Sequence, residues 1–127
     1  MTTLPNLHDG FFDGVWLSAD KQARLFVRSV SGEHSTIQLT DVEALNISSV
    51  KRGNIIFDVE LIPPDKVTTE DIKQVYDLKD DQAEMARQLL AKAQQQNLSA
   101  LEITSSYGAE GKVLFRTIDM FPQHVLD

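Results

Sequence analysis

His8, Asp9 and Asp13 stand close together in the run LHDGFFDG, residues 7–14, and each aspartate is followed by a glycine. An imidazole with two carboxylates is a ligand set for a divalent cation, and a histidine beside an aspartate can move a proton. Metal phosphohydrolases that use a sequential His-Asp pair draw further His and Asp ligands from other helices. Here the remaining histidines are His34 and His124, in loop-like and terminal contexts. With the supporting ligands missing, the run reads as the start of a strand. Asp9 and Gly10 make a turn, Asp13 and Gly14 a bulge or close backbone approach, and His8 packs or hydrogen-bonds where the strand begins. No catalytic residue, metal or cofactor is expected from it.

Other combinations fare no better as chemistry. SYGAEGK, residues 106–112, superficially resembles a phosphate loop, but two residues rather than four separate its glycines and Val113 follows the lysine. It reads as a hairpin turn, with Tyr107 and Glu110 exposed at its tip as a contact patch. Lys51 and Arg52 before Gly53 and Asn54 read as a solvated turn. No serine sits in a nucleophile elbow. An alternative reading, a small-ligand or enzymatic pocket, would use Trp16 and Phe26 as walls and His8 and Asp13 as polar ends. Aromatics at strand spacing are more often core.

The formal charge of −7 is unevenly spread: between Asp58 and Glu84 nine acidic residues face three lysines, so that segment carries nearly all of it. Asp77, Asp80, Asp81 and Glu84, with Glu70 and Asp71, gather at two helix starts, where capping and the helix dipole explain part of them. Asp58, Glu60 and Asp65 are left over. The functional reading is an acidic face for a basic protein partner, with Asp77, Asp80, Asp81 and Glu84 steering it and Tyr107 and Glu110 adding a second patch. The same field repels nucleic-acid backbones, so nucleic acid is not expected as a ligand.

The elements that must position these residues follow from periodicity. Residues 11–17, 23–28 and 36–40 and a weaker segment around Leu45 and Ile47 read as strands. A fifth strand has Ile55, Phe57, Val59 and Leu61 alternating with Ile56, Asp58 and Glu60. Short connections favour an antiparallel meander. Pro63 and Pro64 stop it. Thr68 or Thr69 caps a short helix carrying Ile72, Val75 and Tyr76, and a longer helix starts near Asp81 with Glu84 completing a capping box. Its stripe is Met85, Ala86, Leu89, Leu90 and Ala93, and Asn97 is a left-handed stop. A strand over 98–104 and another over 112–120 make a closing hairpin.

The expectation is one α+β domain over residues 1–127: a meander of four to five antiparallel strands, two helices packed on one face, and a C-terminal β-hairpin. Leu89 and Phe57 are expected in its core, Ile56 and Ile62 on an outer face where a homo-oligomer could pair. No stretch approaches the roughly 18 apolar residues of a membrane span, and a cytoplasmic protein is expected. With no cysteine, disulfides and thiolate metal sites are excluded. The opening L-H-D-G before a meander, helix and hairpin resembles small bacterial α+β domains, some of them immunity proteins that neutralise toxins. That resemblance implies a non-enzymatic inhibitor or accessory factor, acidic where its target is basic, and carries over no catalytic residue.

Overall fold

The computed structural model describes residues 4–123, and His124 lies outside the described residues. Its strands are β1 (Phe11–Leu17), β2 (Ala23–Arg28), β3 (His34–Thr40), β4 (Ala44–Ser48), β5 (Asn54–Ile62), β6 (Ser99–Tyr107), β7 (Glu110–Phe115) and β8 (Thr117–Phe121). Between β5 and β6 lie the helices α1 (Thr69–Tyr76) and α2 (Ala83–Gln95). The class is α+β, but the sheet has eight antiparallel strands in the order β4-β7-β6-β5-β1-β2-β3-β8, not four to five with a separate hairpin. The expected last strand breaks at Arg116, so that β7 pairs with β4 and β8 with β3. Alternation along a strand reports which face is buried and says nothing about its neighbours, which is why the hairpin's insertion into the sheet left no mark.

Chain continuity closes this sheet on itself. The strands at the two ends of the order, β4 and β8, run straight on from β3 and β7, which lie near the opposite ends. Backbone bonds carry the ladder round the corners, from Glu43 N–H to the Leu114 carbonyl at 2.9 Å and from Arg116 N–H to the Thr40 carbonyl at 3.0 Å. The result is a small barrel filled by side chains such as Phe12, Leu25, Ile37, Leu101, Val113 and Phe115. A second core forms outside the barrel, where Leu114 and Ala100 meet Ile72, Val75, Ala86 and Ala93 of the helices. Strand β7 is therefore buried on both faces.

Bulges explain the remaining departures. The pairing of β5 with β6 slips between Ile56 and Asp58, so inward positions are Asn54 and Ile56 before the slip and Val59 and Leu61 after it. Ile56 is thus core rather than outer face, and Phe57, expected in the core, is 53% exposed. Leu89 is half-buried against the second core, and Met85 is exposed. In α1, Thr68 makes a reciprocal capping box with Asp71. The expected Asp81–Glu84 box does not form: residues Asp80–Gln82 are a 3-10 turn in which the Lys79 N–H donates to Gln82 Oε1, and α2 starts at Ala83. Among the described residues no helix is long and apolar enough to cross a membrane.

Candidate functional site

The outer face of β4, β7, β6 and β5 changes character row by row. Ala44, Leu114, Ala100 and Ile62 are aligned across the strands and lie under the helices. The next outward row is Asn46, Lys112, Glu102 and Glu60, and beyond it come Ser48 with Glu110 and Thr104 with Asp58. The helices cover the apolar row and stop at the polar one, because α1 ends at Asp77 in the left-handed conformation. Asn46 ties this junction down through a bond from its Nδ2 to the Gln74 carbonyl at 2.8 Å. A cleft of about 400 Å³ opens there, lined among others by Asp77, Glu102, Thr104, Glu110 and Lys112.

Among the described residues Lys112 is the one cation of this lining, and it is 3% exposed. Its ammonium has three acceptors for three protons: Asp71 Oδ1, Gln74 Oε1 at 2.6 Å and Glu102 Oε2 at 3.0 Å. Burial pulls its pKa down, yet the bonds and charges of Asp71 and Glu102 outweigh burial and hold it above the ordinary lysine range. Desolvation likewise raises Asp71, and Lys112 with Thr68 overcomes it, leaving the carboxyl below its usual value. A lysine kept protonated in this way is neither nucleophile nor base near neutrality. What faces the cleft is an excess of carboxylate, since Asp71 and Glu102 saturate Lys112 while Asp77 and Glu110 are exposed. Gly111 beside them must be glycine, because a Cβ there would lie 2.0 Å from the Asn46 carbonyl oxygen.

Of the residues expected to meet a partner, Asp77 and Glu110 line this cleft. Asp80 and Asp81 are exposed on the 3-10 turn and do not line it. Glu84 is bound to Arg87 at 2.5 Å, and that bond lowers its pKa. Tyr107, half-exposed at the end of β6, pairs across to Ile55. The hairpin turn itself is tighter than expected, with Gly108 at φ 92°.

The residues proposed for a pocket are engaged in other ways, and none of them lines the cleft. His8 Nδ1 lies 2.7 Å from the Phe57 carbonyl oxygen, with its ring edge-on to Phe57. Asp13 sits at the slip between Phe12 and Gly14 and accepts two bonds from Arg28, at 2.8 and 2.9 Å. Arg24 lies 4.8 Å over the Trp16 ring, and Phe26 is buried opposite Gly14. Among the described residues no group of three His, Cys, Asp or Glu side chains is arranged to hold a metal.

Lys112, Glu102, Asn46 and Thr104 were missed by sequence reasoning. Lys112 was visible as a lone cation at an outward position of a strand otherwise apolar from Val113 to Phe115. The geometry defines a filled antiparallel barrel with two helices on one flank and an acidic cleft at their junction. No protein family, curated protein or solved structure matches the chain.

Proposed function

We propose that the protein is a non-enzymatic binding domain that takes a basic segment of a partner protein at the acidic cleft, acting as an immunity or accessory factor. The observation that carries the reading is the Asp77, Glu102 and Glu110 cleft with its only lysine already neutralised. Its volume is at the low end for small-molecule sites, and among the described residues its lining has no aromatic and a single large apolar residue, Ile103. Metabolite pockets are mostly apolar, whereas an arginine or lysine side chain needs carboxylates and little else. Asp58 and Glu60, exposed on the adjoining strand, extend the negative field along the face and steer a basic chain toward it. A cytoplasmic location belongs to the same reading.

Titration of a hexa-arginine peptide into the isotope-labelled protein at low ionic strength tests it. The amide shifts are expected at Asn46, Ser48, Thr104 and Gly111, and to fade as salt is raised. Shifts centred on residues 80–84 instead would move the contact surface to the 3-10 turn, and the absence of any shift would remove the reading.

A further inference from the structure

The barrel is thinnest where β1 meets β5. Within the strands Phe11 pairs with Ile55 and Phe12 with Asn54, two backbone bonds join Ile56 to Asp9 and Gly10 just before β1, and beyond these each strand runs past the end of the other. The overhang of β5 is sealed by polar groups: His8 sits against the Phe57 carbonyl, and the Val59 N–H donates to Asp58 Oδ1 at 2.9 Å. A side chain that takes a strand's own edge donor blocks the approach of another strand.

Among the described residues the overhang of β1, residues 14–17, has no such cover. The Ser18 N–H donates to the Gln22 carbonyl at 3.0 Å, which fixes the phase of the ladder. Counting back in twos, Trp16 with Arg24 and Gly14 with Phe26 are the bonded pairs, and the N–H and C=O groups of Val15 and Leu17 point away from β2. Their side chains lie at barrel-facing positions, opposite Leu25 and Ala23, yet are 37% and 57% exposed because among the described residues no strand follows on that side. The segment GVWL contains none of the lysines, prolines or inward charges that usually blunt an edge.

We infer that this edge pairs with the same edge of a second copy of the chain, antiparallel about a two-fold axis through Trp16. That register is self-complementary. It sets Val15 against Leu17 of the second copy as a bonded pair, and covers both apolar side chains. Gly14 then meets Ser18, and Asp13, already paired to Arg28, meets Ala19, so no like charges are opposed. Four residues of edge make a small interface, and the dimer belongs to the weak class that dissociates on dilution.

Molar mass by light scattering, from about 10 μM to about 1 mM, tests this over the range where weak dimers form. The expected result is a rise toward twice the 14.2 kDa chain mass, abolished by Val15→Lys with an unchanged melting temperature. Because the chain has no cysteine, a single Trp16→Cys places two thiols across the axis at a Cα separation of about 4.5 Å, within disulfide reach. It should cross-link on mild oxidation, and Arg52→Cys, in an exposed loop, should not. A monomer at every concentration, or a dimer undiminished by Val15→Lys, would overturn the inference.

Discussion

Two buried polar side chains, Asn54 and Lys112, hold this molecule together in opposite ways. Asn54, 4% exposed, is satisfied by backbone alone. Its Oδ1 accepts from the N–H groups of Lys51 at 2.6 Å and Ala109 at 2.9 Å, and its Nδ2 donates to the carbonyls of Lys51 at 2.6 Å and Phe12 at 3.2 Å. All its capacity is used, and it latches the β4–β5 loop, the β6–β7 turn and β1 at the thin seam of the barrel. Lys112 is satisfied only by side chains, and its partners bring more negative charge than it neutralises. A neutral hub closed on backbone fixes the fold and leaves nothing over. An ionic hub at the rim of a cleft leaves charge facing solvent, and there a ligand can be read.

Breaking either hub should be the most damaging kind of single change. Asn54→Ala orphans the buried Ala109 N–H and the part-buried Lys51 N–H, together with the two carbonyls its amide serves, and is expected to cost about 3 kcal/mol, measured by urea unfolding. A cost under about 1 kcal/mol would mean that water replaces the amide. Lys112→Met should cost about 3 kcal/mol, less than a fully buried pair because Glu102 keeps contact with solvent. Adding Asp71→Asn should recover part of that loss, as coupled partners do.

The two hubs also separate by pH. Asp71 is lowered in the fold, so its contribution is present above the ordinary carboxylate value of 3.8 and is lost as pH falls through its lower folded value. Lys112 is raised, so its contribution is full below 10.5 and is lost as pH rises through its higher folded value. The melting temperature should therefore fall at both extremes, and Lys112→Met should remove the alkaline part of the fall that depends on this residue. Asn54 has no titrating group, so a variant there should shift the whole profile without changing its alkaline shape.

Sequence reasoning found the parts whose signal is local. The Thr68 cap, the Ile72 and Val75 stripe, the left-handed Asn97 and the slip at Asp13 all depend on residues a few positions apart. It failed where distant segments meet. Nothing local says that Asn46, Lys112 and Glu102 share a row, since 66 positions separate the first two and only the pairing of β4 with β7 joins them. Slips in the β5–β6 pairing on both sides of Ile56 were enough to exchange Phe57 with Ile56 between surface and core. The acidic segment was recognised by its charge, but its most negative stretch, around Asp80 and Asp81, lies on the 3-10 turn, and the cleft draws Glu102 and Glu110 from outside it.

The smallest expected effect on stability accompanies the largest on binding. Asp77→Asn with Glu110→Gln removes two exposed charges and should change stability by less than about 0.5 kcal/mol. The deciding measurement is the affinity of that double variant for the hexa-arginine peptide, set beside Asp80→Asn with Asp81→Asn at the same ionic strength. The cleft variant should bind roughly tenfold more weakly, about 1.4 kcal/mol, with a shallower salt dependence, and the turn variant should bind nearly as the wild type does. Equal losses in the two variants would mean that net charge, not the cleft, attracts the peptide, and would contradict the account.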